Sequence, residues 1–155
     1  MNFTEALNVN VAEIERPPLP PIGTYTWKVE KVEFGEVGTA NKFDTVDIRL
    51  QAIESGEDVS PSKLSDFGGL KMVKQRLRFM FPKAEGEEQK AQFERTMFNL
   101  RRFLEEHLKL DPNGTLKQKL TECIGQVCLG DIKYRPDQND PEVMYAEIGR
   151  TAPLG

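Results

Sequence analysis

Residues 24–34 read TYTWKVEKVEF, and their apolar side chains recur with the two-residue period of a β-strand. Tyr25, Trp27 and Val29 share one face of the strand. Further along, Val32 and Phe34 have the opposite parity. One inserted residue near Glu30–Lys31, a β-bulge, would produce this change of face and bend the chain. The stretch therefore predicts one long, bent strand that can turn a corner of a sheet.

Two further segments downstream alternate in the same way. Residues 43–53 (FDTVDIRLQAI) and residues 70–81 (LKMVKQRLRFMF) each place apolar side chains on one face and polar ones on the other. The polar segments 35–42 and 54–69 are predicted to be the connecting loops, and Pro82 is predicted to end the third strand.

The period then changes to that of a helix. Residues 86–110 carry an apolar stripe at spacings of three and four, and Thr115 is a plausible N-cap for a second, short helix that stops at Gly125. Residues 126–135 and 142–149 read as two more strands, the first with a change of parity at Gly130.

This element order predicts a mainly β fold with helices: a five-stranded OB-like barrel with a helical insertion between strands 3 and 4. An open antiparallel sheet with a helix packed across one face is the alternative. The expected interior residues are Trp27, Val29, Val46, Ile48, Leu50, Val73, Leu77, Phe79, Val127, Leu129 and Ile148. The predicted organisation is a proline-rich arm at 1–21, one domain at 22–150 and a short tail at 151–155.

The third strand carries a concentration of positive charge. Residues 71–83 (KMVKQRLRFMFPK) hold five Lys or Arg and no Asp or Glu, in a chain whose formal net charge is −4. Lys74, Arg76 and Arg78 alternate, so they would lie about 6.6–6.8 Å apart on one face, close to the phosphate spacing of an extended nucleic-acid strand. The pattern predicts a nucleic-acid surface, unless carboxylates such as Asp47 on a neighbouring strand neutralise the cations.

Side chains elsewhere could extend this surface. Non-specific single-strand binders combine cations with aromatic rings on which bases stack. The candidate nucleic-acid-binding residues are therefore Trp27, Lys28, Arg49, Phe67, Lys71, Lys74, Arg76, Arg78, Lys133, Tyr134 and Arg135. For Trp27 and Tyr134, packing in the core or at an edge is the competing interpretation.

Several segments together resemble phage single-stranded DNA-binding proteins of the OB-fold type. They are GTYTWKVEKVE after the proline arm, RLRFMFPK, FNLRRFLEEHLKLD and the closing GQVCLGDIKYRPD and EVMYAEIGRTAPL, and the likeness covers roughly residues 17–153. The resemblance implies an OB-like fold, a phage origin and binding of single-stranded DNA in replication or recombination. The closing RTAPLG has no carboxylate, whereas bacterial-type proteins of this kind end in an acidic tail that recruits replication partners.

Other functional classes find little support in the sequence. The only histidine, His107, lies in the predicted helix, and the two cysteines do not form a metal-binding pattern with it, so no catalytic residue, metal or cofactor is predicted. No apolar run is long enough to span a bilayer, and residues 1–15 lack the pattern of a secretion signal. We expect no membrane partner and a location in the cytoplasm, that of the host cell if the protein is phage-encoded.

A protein-interaction module that acts as a phage adaptor or inhibitor of a host protein, without binding nucleic acid, is the competing function. Residues 1–60 carry a net charge of −6, and RPPLPP at 16–21 could bind an aromatic groove, although a stiff arm is the simpler interpretation. The partners expected beside single-stranded DNA are phage or host replication proteins and further copies of the chain.

Overall fold

The structure, a computed structural model, describes all 155 residues and contains one antiparallel sheet with several helices. The strands are β1 (Gly23–Val37), β2 (Phe43–Ser55), β3 (Lys74–Pro82), β4 (Val127–Pro136) and β5 (Met144–Ala152). The helices are α1 (Phe3–Leu7), α2 (Pro61–Phe67), α3 (Glu87–Arg102) and α4 (Leu116–Glu122). A π-helical turn at Phe103–His107 continues α3. No helix combines the length and apolar character that crossing a bilayer requires.

The predicted bulge in β1 is confirmed. Val29 pairs with Leu50 and Lys31 with Arg49, so Glu30 is the extra residue in the ladder between β1 and β2. Beyond this point Val32 and Phe34 lie on the same face as Ile48 and Val46. Val32 packs against the core, whereas Phe34, near the end of the strand, is 69% exposed. The insertion is the physical reason that Val29 and Val32, of opposite parity, both contact the core.

The sheet is open. Its strands are ordered β3-β2-β1-β4-β5, and no ladder of hydrogen bonds joins the two edge strands, β3 and β5. The five strands and the helical insertion between the third and fourth are therefore confirmed, but a closed barrel is not observed. Residues of both β3 and β5 nevertheless line the same surface depressions, so the two edges of the sheet approach each other.

The core lies on one face of this sheet and is covered by the second half of α3, the π-helical turn and α4. Trp27 and Ile48 are fully buried at its centre. The prediction that Val127 and Leu129 lie in the interior is wrong, because β4 buries the residues of the other parity, Cys128 and Ile132. The sequence pattern misled because a small cysteine at the inward position reads as less hydrophobic than its half-exposed neighbours.

The helical region contains one confirmed cap and one missed helix. Thr115 starts α4, and its hydroxyl and the Gln118 side chain each accept a backbone N–H bond. Within the predicted loop 54–69, Ser60 caps the unpredicted α2. The third strand was predicted to begin at residue 70, but Leu70–Met72 form a 3₁₀ turn and the strand starts at Lys74.

The N-terminal arm is fixed to the domain at its last two prolines. The hydroxyl of Tyr25 donates to the carbonyl of Pro21 at 2.7 Å, and that of Tyr134 donates to the carbonyl of Pro20 at 2.8 Å. Both prolines are buried, whereas the preceding residues are almost entirely exposed. The arm therefore enters β1 from a defined position.

Candidate nucleic-acid interface

The sheet face opposite the core carries most of the predicted binding residues. Residues that lie opposite one another in an antiparallel ladder point to the same side of the sheet, so the register of β1, β2 and β3 sorts their outward side chains into rows across the strands. Neighbouring strands are about 4.7–4.9 Å apart, and successive outward residues along a strand about 6.6–6.8 Å apart.

One of these rows contains only cations. Lys31 on β1 lies opposite Arg49 on β2, which lies opposite Arg76 on β3. Like charges placed directly opposite each other destabilise a sheet. Arg49 is neutralised by Glu33, whose carboxylate accepts a hydrogen bond from its Nε at 2.8 Å, but Arg76 forms no ion pair. The row therefore leaves one exposed arginine beside two other cations.

The next row contains an ion pair that is held by two hydrogen bonds. Asp47 lies opposite Arg78, whose Nε and one terminal nitrogen donate hydrogen bonds to the two carboxylate oxygens at 2.8 and 3.0 Å. These hydrogen bonds hold the pKa of the Asp47 carboxyl below its ordinary value. Arg78 is thus fixed in position and largely neutralised, as the alternative interpretation of the charged strand expected.

Lys74, the third cation of β3, has a looser partner. Its ammonium nitrogen is 3.6 Å from Glu30, the bulged residue of β1, and both side chains are about half exposed. Exposed pairs of this kind contribute roughly 0–1 kcal/mol and exchange readily with other ions. Lys74 is therefore available to an anionic ligand at small cost, unlike Arg78.

The face forms one side of a groove with a volume of about 810 Å³ that extends to β4 and β5. Its lining consists of Glu30, Lys31, Glu33, Arg49, Leu50, Lys74, Gln75, Arg76, Arg78, Arg135, Ala146 and Glu147. Six of these side chains are cationic and three are carboxylates, so the groove, here called the cationic groove, has a net charge of +3 in an acidic protein. No aromatic residue is among them.

The structure brings five of the predicted residues together and separates the other six. Arg49, Lys74, Arg76, Arg78 and Arg135 line the cationic groove. The remaining predicted residues lie outside it: Trp27, Lys28, Phe67, Lys71, Lys133 and Tyr134. Lys28 lies on the same face one row beyond, opposite Gln51, and is exposed. Lys71 is exposed in the 3₁₀ turn before β3, and Lys133 lies 3.7 Å from Asp131.

The prediction that Trp27 contacts a ligand is wrong. Its side chain is 0% exposed, and its indole N–H donates to the carbonyl of Gly130 at 3.0 Å. Phe67 and Tyr134 are also unsuited to the stacking role proposed for them. Phe67 ends α2 and packs against the core, while the Tyr134 hydroxyl is used to hold Pro20.

Two residues that the sequence interpretation omitted belong to this region. Lys31 lines the groove because the bulge turns it outward, and the predicted bulge was itself the signal that could have identified it. Tyr145 lies opposite Arg135 in the ladder between β4 and β5 and is 48% exposed. No sequence signal distinguished Tyr145, because its proximity to the groove depends on β5 curling towards β3.

Comparison with other proteins gives no assignment: no protein-family model matches the chain, and neither does the sequence of any curated protein.

Proposed function

We propose that the protein binds single-stranded DNA without sequence specificity and that the cationic groove holds the phosphate backbone. The observation that carries this proposal is the row formed by Lys31, Arg49 and Arg76. Three cations aligned across three strands, with Arg76 unpaired, cost stability in the free protein and become favourable when an anion enters. A polyanion with regularly spaced charges, such as a nucleic-acid backbone, could contact cations in this row and along β3.

The acidity of the whole chain is compatible with this function. A cleft lined by one sign of charge attracts its ligand through the local potential, and screening at physiological salt limits the influence of charges more than about 8 Å away. The carboxylates of the groove pair with Lys and Arg through exposed contacts that phosphates can replace. The ion pair between Asp47 and Arg78 keeps one cation in a fixed position instead.

The strand order supports the interpretation of the fold as a partly open OB-type barrel. β1 lies between β2 and β4, α3 and α4 lie between β3 and β4 in the chain, and β3 and β5 flank one groove without a shared ladder. OB barrels bind oligonucleotides on the face of strands 2 and 3, which is the side occupied by the groove. Together with the resemblance of the sequence segments, this favours a phage protein acting in DNA replication or recombination.

Stacking of bases would have to involve residues at the rim of the groove. Tyr145 is the best placed, since it is half exposed and lies opposite the groove-lining Arg135. Stacking on a single ring contributes about 1–3 kcal/mol per base, so backbone contacts would supply most of the affinity.

The test is titration of a fluorescent oligo-dT of about 20 nucleotides, longer than the ~4–16 nucleotides that one OB fold covers. Arg76→Glu should weaken binding roughly 10–100-fold, because a charged hydrogen bond is lost and a repulsive charge is added. The matched control is Arg95→Glu, which makes the same charge change at an exposed, unpaired arginine of α3, outside the groove. Equal affinities of the two variants would exclude the groove as the binding site.

Competition with duplex DNA of the same length completes the experiment. A single strand can follow the curved groove, so unlabelled single-stranded oligonucleotide should displace the probe at lower concentration than duplex. If the wild-type protein binds neither form in low salt, the proposed function is wrong.

A protein-interaction module is the second candidate function, and the exposed apolar side chains of the arm favour it. Met1, Phe3, Leu7 and Val11 are all more than two-thirds exposed. Capture of a protein partner that survives nuclease treatment and depends on these side chains, with no binding of oligo-dT, would support this function over the first.

A further inference from the structure

The first fourteen residues present apolar side chains that nothing in the domain covers. Phe3 and Leu7 are four residues apart on α1 and so share one face, and they are 78% and 69% exposed. Val11 and Ile14 follow at spacings of four and three and are also exposed. In the free chain α1 ends at Leu7, and a separate 3₁₀ turn spans Val11–Glu13. A helix continued through these residues on docking would place all four side chains on one apolar stripe.

A second uncovered apolar surface lies on α3. Met97 and Phe98 are 39% and 61% exposed. Phe93 is 42% exposed, although its ring also packs edge-on against Phe81 of β3 at 5.1 Å. Met97 lines two neighbouring depressions. One continues to Pro82 and Ala84 and the other to Leu104, Leu110 and Leu116. The two depressions meet at Met97 and together form a groove along the helix, here called the α3 face, whose lining also includes the charged Lys90, Glu94 and Arg101.

The two surfaces match in length and partly in charge. A helix over residues 3–14 would be about 18 Å long, close to the distance of about 16 Å between Lys90 and Arg101 along α3. Residues 1–15 contain three glutamates and no Lys or Arg, whereas Lys90 is unpaired and Arg101 has only the exposed Glu105 as a partner. Glu94 lies between these cations, so apolar contact must supply most of the attraction.

We propose that the N-terminal segment of one copy of the chain docks on the α3 face of a second copy. Phe3 and Leu7 enter the groove around Met97, and the glutamates of the segment lie near Lys90 and Arg101. The contact is head-to-tail, because the surface that donates the segment differs from the surface that receives it. Successive copies can then join in the same way to form a chain or a ring.

The position of the arm favours a second copy over the same molecule. The arm reaches the sheet at Gly23, the first residue of β1, and before that point Arg16 donates to the carbonyl of Glu142 in the turn between β4 and β5. The α3 face begins beside Pro82, which pairs with Phe43, itself opposite Val37 at the other end of β1. Docking within one molecule would require the arm to reverse its direction and give up the Arg16 contact.

The test uses full-length protein and sedimentation velocity over roughly a hundredfold range of concentration, since association follows mass action. The wild type should shift from 17.6 kDa to larger species as concentration rises. Leu7→Asp removes the donor surface and Met97→Asp the receiving one, so each variant alone should stay monomeric. Ile53→Asp, at an exposed apolar residue of β2 outside both surfaces, is the control and should associate like the wild type.

Mixing the two defective variants separates this arrangement from its alternatives. Met97→Asp still has a working segment and Leu7→Asp a working groove, so an equimolar mixture should form a dimer and stop there. A mixture that remains monomeric overturns the proposal, as does a wild type that is monomeric at every concentration because the segment folds onto its own helix or stays free. Far-UV circular dichroism checks that each variant is folded, and Phe98→Asp replaces Met97→Asp if the latter is not.

This inference does not depend on binding of DNA. The α3 face and the cationic groove share no residue, so Leu7→Asp should bind a short oligo-dT as the wild type does. A wild type that binds oligo-dT but does not associate overturns only this inference, and a wild type that associates but does not bind oligo-dT overturns only the proposed function.

Discussion

The cationic groove and the α3 face are two exposed surfaces of one small domain with opposite chemistry. Nine of the twelve residues that line the groove are charged, and all of its cations except Arg76 are paired with carboxylates at distances from 2.8 to 3.6 Å. The α3 face presents Phe93, Met97 and Phe98. The first surface suits a ligand that exchanges ion pairs, and the second suits a partner that excludes water.

The groove also contains a smaller contrast between two arginines of one strand. Arg78 is fixed by Asp47, and Arg76, two residues earlier, has no carboxylate partner. If the groove binds DNA as proposed, we expect the fixed arginine to contribute mainly to stability and the free one mainly to binding. Substitutions at these positions should therefore separate the two properties.

The largest expected effect is that of Asp47→Asn. The substitution leaves the half-buried Arg78 without its charged partner, so the free energy of unfolding should fall by about 2 kcal/mol. Affinity for oligo-dT should rise roughly threefold, because one carboxylate less opposes the phosphates. Urea unfolding and fluorescence titration of the same preparation measure the two effects. A loss of both stability and affinity would contradict the division of roles between Arg78 and Arg76.

The stability effect of Asp47→Asn should depend on pH. The folded-state pKa of Asp47 lies below its ordinary value of 3.8, so the ionised carboxylate contributes stability above that pH. The contribution is lost as the pH falls through the folded-state pKa. The difference in unfolding free energy between wild type and variant should thus be full at neutral pH and shrink below about pH 4. An unchanged difference across this range would show that charge pairing is not its cause.

The next largest effect should be that of salt, which we expect to weaken DNA binding at the groove much more than self-association through the α3 face. If about three phosphates are neutralised, raising the salt concentration from about 50 to about 200 mM should weaken binding of oligo-dT roughly 15–20-fold. Self-association through the α3 face should change less than about twofold, because apolar burial is not screened. Sedimentation velocity and fluorescence titration in the same buffers test this. Equal salt dependence of both processes would remove the distinction.

The smallest expected effect concerns a buried polar atom on the same face of the sheet, one row beyond Asp47. Thr45, two residues before Asp47 on β2, is buried, and its hydroxyl has no hydrogen-bond partner. Thr45→Val keeps the shape and removes the unpaired group, so it should raise the free energy of unfolding by about 1 kcal/mol. Binding of oligo-dT and self-association should remain unchanged. A destabilised Thr45→Val variant would indicate that the hydroxyl is hydrogen-bonded in solution.

Periodicity in the sequence was sufficient to predict most of the sheet. The alternation in β1 and its change of parity located the bulge at Glu30, and Thr115 and Pro82 marked the ends of elements correctly. These features are local, because they depend on side-chain period and backbone geometry within a few residues. For the same reason the alternation of Lys74, Arg76 and Arg78 along β3 could be predicted from the sequence.

Features that depend on tertiary contacts were not predictable in this way. The alternation of residues in β1 is the same whether Trp27 faces a ligand or the core. Only the hydrogen bond of its indole to Gly130 shows that it lies in the core. Likewise, Asp47 is one of several acidic residues in the sequence, and its pairing with Arg78 follows from the register of β2 on β3. The approach of β5 to β3, which brings Arg135 to the groove, has no local signal at all.

The two tyrosine hydroxyls that hold the arm also determine where mechanical load enters the domain. A pull on residues 1–15 first breaks the single exposed hydrogen bond of Arg16 to Glu142, then reaches Pro20 and Pro21, and then Gly23, where β1 begins. Because β1 is the middle strand of the sheet and pairs with both β2 and β4, the force would shear two ladders at once. An edge strand such as β5 would instead peel away one bond at a time. The arm is thus attached to the strand of the sheet that best resists tension.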